Sequence, residues 1–83
     1  MTETEARVIL ALAENSMNIA ETARRSYVHR NTVEYHIAKI KRKTGLDARN
    51  FYQLYELTGR AEETLKQLEK RRGLTARLKE EKP

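Results

Sequence analysis

The sequence predicts an all-α fold: a compact helical domain with a helix-turn-helix and an additional C-terminal amphipathic helix. Three observations predict it. Helix breakers are scarce, with only Gly45, Gly59, Gly73 and Pro83 among 83 residues. Helix-forming residues fill the stretches between them. Apolar residues recur at three- and four-residue spacing, and no stretch alternates apolar and polar residues as a half-buried strand would.

The first helix is expected over Glu3–Glu14. Ala6, Ile9, Leu12 and Ala13 share one face, and Glu3 and Glu5 occupy the first turn, where the helix dipole favours carboxylates. Asn15, Ser16 and Met17 break the pattern. Asn18 then has the character of an N-cap, with Glu21 at capping-box spacing. It opens a short helix, Ile19–Arg25, with Ile19, Ala20 and Ala23 available for burial. Ser26, Tyr27, Val28 and His29 read as a turn.

A longer helix follows over Arg30–Thr44, with Val33, Ile37 and Ile40 on its buried face. Gly45 supplies the left-handed residue that ends it, and Lys41, Arg42 and Lys43 sit in its last turn. Asp47 or Asn50 caps a fourth helix containing Phe51, Leu54, Tyr55 and Leu57. Past Gly59 the amphipathic pattern resumes through Ala61, Leu65 and Leu68, and residues 74–83 are charged and expected to fray. The domain reading is therefore a helix-turn-helix domain over 1–58 and a helical extension over 59–83. Leu54, Leu57, Ala61, Leu65 and Leu68 have heptad-like spacing. This stripe either folds back over the chain's own core or pairs with a second copy across a two-fold axis.

Size and composition narrow the function. A chain this short buries only about 60% of the surface its unfolded form exposes, enough for one modest core. The sequence has no cysteine, so disulfides and thiolate metal sites are excluded. His29 and His36 lack the supporting ligands of a metal site, and no cofactor is expected. There is no Gly-rich phosphate loop, no carboxylate pair in an apolar setting, and no nucleophile with a base at helical spacing, so no enzyme is expected. No apolar run approaches the ~20 residues that span a bilayer, and the acidic start Thr2-Glu3-Thr4-Glu5 is unlike a signal peptide. A soluble, cytoplasmic, nucleoid-associated protein is the expectation.

The net charge of +5 is unevenly distributed: residues 1–17 carry −2, residues 18–50 carry +5, residues 51–59 carry −1 and residues 60–83 carry +3. A basic middle points to a polyanionic partner. It coincides with the short helix, tight turn and longer helix over residues 18–44, the layout of a helix-turn-helix. In that motif the second helix enters the major groove and its N-terminal residues meet base edges.

Burial of Val33, Ile37 and Ile40 turns Asn31, Tyr35, Ala38 and Arg42 outward, with Thr32 and Lys39 flanking. Asn31 suits adenine, Arg30 suits guanine, and Thr32 suits a phosphate or a thymine methyl. Tyr35 adds a ring and a hydroxyl. Lys39 and Arg42, with Arg24 and Arg25 on the preceding helix, suit backbone phosphates. The expected DNA-contacting set is Arg25, His29, Arg30, Asn31, Thr32, Tyr35, Lys39 and Arg42. The partner expected is double-stranded DNA, engaged by a homodimer. A module that docks on another protein through the same helices is the alternative, because fold alone does not settle function.

The residues also carry a resemblance. The stretch Asn18-Ile19-Ala20-Glu21-Thr22-Ala23-Arg24-Arg25, then Tyr27-Val28-His29-Arg30-Asn31-Thr32-Val33, Tyr35-His36-Ile37 and Lys43-Thr44-Gly45-Leu46-Asp47, resembles the C-terminal helix-turn-helix of PucR-type regulators of purine catabolism and sugar-diacid use. More distantly it is similar to the DNA-binding half of the factor for inversion stimulation. The resemblance implies a bacterial or phage transcription regulator in which His29, Arg30, Asn31, Thr32 and Tyr35 face DNA. Ser26 stands where leucine is usual, and Glu34 and His36 replace residues that are often basic. The family's large N-terminal sensing region lies outside the resemblance, so no small-molecule effector is carried over.

Overall fold

The computed structural model describes the backbone of residues 1–80 and the side chains of residues 1–73. Four helices follow in order: α1 (Glu3–Glu14), α2 (Ile19–Arg25), α3 (Arg30–Thr44) and α4 (Phe51–Glu80). There is no strand among the described residues.

Each helix starts on a side chain that satisfies an otherwise unpaired amide. At α1, Thr2 and Glu5 form a reciprocal capping box: the Glu5 amide donates to Thr2 Oγ1 at 3.1 Å and the Thr2 amide donates to Glu5 Oε1 at 2.8 Å. At α2, the Glu21 amide donates to Asn18 Oδ1 at 2.9 Å. The expected reciprocal bond is absent because the Glu21 carboxylate turns instead to Arg24 and Arg25. Asn50 caps α4 by accepting from the Gln53 amide at 3.1 Å. Asp47, the other candidate, organises the preceding turn by accepting from the Arg49 amide at 2.9 Å.

The helix ends are equally determined. α1 and α2 both close with a Schellman pair: Met17 and Ser16 amides donate to the Leu12 and Ala13 carbonyls, and Val28 and Tyr27 amides donate to the Ala23 and Arg24 carbonyls. Such an ending needs a left-handed residue, supplied here by Ser16 (φ 54°) and Tyr27 (φ 57°) rather than by glycine. α3 ends on Gly45 at φ 77°, as expected.

The core joins all four helices through Ala6, Ile9 and Leu12 of α1, Ala23 of α2, Val33, Ile37 and Ile40 of α3, and Leu54, Leu57 and Ala61 of α4. Ala48, in the α3–α4 connection, completes it. Ala13 and Ala20, expected inside, are exposed. Ala13 borders an open cleft beside the start of α4, and Ala20 lies outside the arc that α2 buries through Thr22 and Ala23.

α4 runs antiparallel to α1. Its start lies beside Ala13 and Met17, and farther along, Arg72 grips Glu3 at 2.6 Å. It passes through Gly59 and Gly73 without interruption, so the fourth helix and the pattern beyond Gly59 are one element. Burying Leu57 and Ala61 against the core outweighs the ~1 kcal/mol that a helical glycine costs. Leu54, Leu57 and Ala61 are buried within the chain and Leu65 packs against the core. The stripe from Leu54 to Leu65 therefore covers the chain's own interior. The side chains on which fraying was expected, residues 74–83, lie outside the described set.

Candidate nucleic-acid interface

The geometry of the α2–α3 unit begins with which face α3 buries. Val33, Ile37 and Ile40 are no more than 3% exposed, whereas Arg30, Asn31, Thr32, Ala38 and Arg42 are exposed. Tyr35, on the same side, is 55% exposed. Lys39 is half-buried at the flank. The apolar spacing of α3 thus sets its rotation, and the polar side chains near its N-terminus form one outward surface.

His29 anchors that surface. Its Nδ1 accepts from the Asn31 amide at 3.0 Å, capping α3. The ring proton consequently sits on Nε2, and the only group left for an external partner is a donor. Asn31 is held at the second helical position by this bond, and its side chain is exposed. Arg30 pairs with Glu34 one turn on, at 3.1 Å. Glu34 has no place in the expected contact set, yet it occupies one of that set's cations.

A second carboxylate does the same on α2. Glu21 accepts from Arg24 Nε at 3.1 Å and from Arg25 Nε at 2.8 Å. Hydrogen bonds from Arg24, and then from Arg25, hold its carboxyl at about 2, far below the usual 4.5. The Arg24 guanidinium is shifted upward by the same contact. Both arginines stay largely solvent-exposed, so the cluster is a surface arrangement and not a buried salt bridge.

The basic run at the end of α3 divides. Lys43 reaches back to the buried Glu5 at 3.1 Å, and Lys41 lies 3.6 Å from Asp47. Arg42 and Lys39 have no ion-pair partner among the described residues. Two of the three cations in the run therefore serve the fold, leaving Arg42 for an outside anion. His36 points the other way from Asn31. Its ring meets Tyr35 edge-on, with centroids 5.4 Å apart. Its Nδ1 is buried without a hydrogen-bond partner, beside a cleft of about 300 Å³ between α1 and the helix-turn-helix.

A model of the PucR C-terminal helix-turn-helix domain matches residues 6–58, well over half the chain. The chain belongs to that family. No curated protein and no solved structure matches it. The PucR match begins inside α1 and ends within α4, so the helices that carry the core are part of the matched unit together with α2 and α3. The exposed face of α3 lies wholly within the matched segment. No helix among the described residues is long and apolar enough to cross a membrane.

Sequence reasoning missed two features of this PucR domain. Tyr27 stands in the turn between α2 and α3 with 95% of its surface exposed; a tyrosine carries no signal for a left-handed backbone. Phe51, Tyr52 and Tyr55 project from the first turns of α4 into solvent. Helical periodicity around Leu54 and Leu57 was the available clue, since it leaves positions 51, 52 and 55 outside the buried arc.

Proposed function

We propose that this chain is a sequence-specific binder of double-stranded DNA that regulates transcription in a bacterium or phage by seating α3 in the major groove. The observation that carries this is the rotation of α3: Val33 and Ile37 are buried while Arg30, Asn31 and Thr32 are exposed together at its N-terminal end. That is the end a helix-turn-helix presents to base edges. The family match supports the class of partner.

In this reading Asn31 makes paired hydrogen bonds to adenine, and Arg30 exchanges Glu34 for guanine or a phosphate. Thr32 and Tyr35 contact neighbouring bases or sugars, and His29 donates from Nε2. Arg25, with Arg24, and Lys39 and Arg42 neutralise phosphates on either side of the groove, fixing register without reading sequence. The first turn of α3 contains no acidic residue, so its amide end repels no phosphate. Two copies engage a palindromic site, and the protein works in the cytoplasm on the nucleoid.

Fluorescence anisotropy with a labelled random-sequence duplex tests this. Four phosphate-neutralising side chains give a log–log salt slope of about −3 to −4. Selection from a random pool then returns a preferred half-site. Absence of binding at low ionic strength would overturn the proposal and favour a protein-docking role for the same helices.

A further inference from the structure

Among the described residues, three large exposed apolar side chains cluster at the start of α4. Phe51, Tyr52 and Tyr55 are 65%, 82% and 75% exposed, and they fall within about 100° of one another around α4. Phe51 and Tyr52 meet edge to face, with centroids 5.5 Å apart. Beside them Ala13 of α1 and Met17 of the α1–α2 turn border an apolar cleft of about 410 Å³, in which none of the lining residues is charged. Large exposed aromatic patches mark contact surfaces. We infer that this patch is the contact between two copies of the chain, related by a two-fold axis.

Three arguments select a second copy as the occupant. The first is charge. Each chain carries +5, and two such chains repel each other least when they meet through a patch whose own side chains are uncharged. An acidic partner would instead be drawn to the basic faces. The second is area. An aromatic side chain buries roughly 150–250 Å² when covered, so three that are largely exposed contribute roughly 400 Å². That is about half of the ~800 Å² per partner in a standard interface, with the cleft walls supplying more.

The third argument is spacing, and it rests on the DNA-binding reading. Half-sites one helical turn apart lie about 34 Å from centre to centre, which places the axis about 17 Å from each reading end. Asn31 and the C-terminal end of α3 are separated by about 20 Å of helix. The patch follows directly, across the Gly45 turn. An axis at the start of α4, which follows α3 after residues 45–50, is of the right order for adjacent major grooves, whereas Leu54, Leu57 and Ala61 are already buried within the chain.

Sedimentation velocity of the full chain without DNA, from low to several hundred micromolar, tests the inference. The wild type is expected to move from one to two chains as concentration rises. The exposed-site variant Phe51→Glu, with Tyr55→Asp as a second, is expected to raise the dimer dissociation constant by about tenfold or more. Circular dichroism of both variants should match the wild type. A wild type that remains a single chain throughout, or variants that dimerise as well as it does, would overturn the inference. The DNA reading is judged separately. A chain that dimerises through the patch but ignores duplex loses that reading and keeps this contact. One that binds duplex only as a single copy does the reverse.

Discussion

Lys43 Nζ lies 3.1 Å from the carboxylate of Glu5, joining the last turn of α3 to the first turn of α1 across 38 residues of sequence. The two ends differ in setting: the Glu5 side chain is 2% exposed and that of Lys43 is 47% exposed. The pair fastens α3 to the rest of the core at the end farthest from Asn31.

Removing the lysine leaves a buried carboxylate that keeps only its capping-box bonds to Thr2. Lys43→Met is expected to destabilise the fold by about 1–2 kcal/mol, less than a fully buried pair because the lysine is half in water. Urea denaturation at neutral pH measures it.

Acid should weaken the same site. Burial pushes the Glu5 carboxyl upward, but the Thr2 amide, the Lys43 ammonium and the Thr2 hydroxyl together bring it below its ordinary value of 4.5. A carboxyl lowered in the folded state contributes stability above its unfolded value and loses it as pH falls through the folded one. Stability is therefore expected to be level down to about pH 5 and to fall below that, with a smaller fall in Glu5→Gln. An equal fall in both proteins would remove Glu5 as the cause.

Backbone conformation makes two opposite predictions about glycine. Tyr27 holds a left-handed conformation at φ 57° with its side chain in solvent, so Tyr27→Gly relieves about 1–2 kcal/mol of steric cost against a smaller entropic loss. Gly59 is helical, and an added Cβ meets nothing within 4 Å, so Gly59→Ala recovers part of the ~1 kcal/mol helix penalty. Each change is expected to raise Tm by about 2–6 °C. Thermal unfolding followed by circular dichroism checks both.

Glu21 restrains two of the cations assigned to phosphate. Its carboxyl should titrate at about 2 by carbon-detected NMR. Under the DNA-binding proposal, Glu21→Gln frees Arg24 and Arg25 and is expected to tighten duplex binding by about threefold or more, with a steeper salt dependence. Unchanged affinity would remove these arginines from the interface.

The architecture was legible wherever a local rule governs it. Asn18 and Gly45 mark helix ends through their own side-chain or backbone chemistry, and the Val33, Ile37, Ile40 spacing sets the rotation of α3. The family was legible from the residues of α2, the turn and α3. What escaped depends on distance or on competition. Nothing near Lys43 in sequence points to Glu5, so the last turn of α3 gave no sign of that pairing. Gly59 marked a break by its propensity, yet packing of Leu57 and Ala61 on the core kept α4 continuous. Phe51 and Tyr55 resembled core residues by type, and only the arc that α4 buries shows them to be outside it.

The central claim is that the outward face of α3 reads bases. Its most direct test compares wild type and Asn31→Ala on a selected duplex and on the same duplex with its half-site scrambled, at one salt concentration. Loss of a paired base contact is expected to reduce the ratio of the two affinities by about 1–3 kcal/mol, roughly 5- to 150-fold, while Lys39→Ala weakens both duplexes equally and leaves the ratio in place. An Asn31→Ala protein that discriminates as well as the wild type would contradict the account.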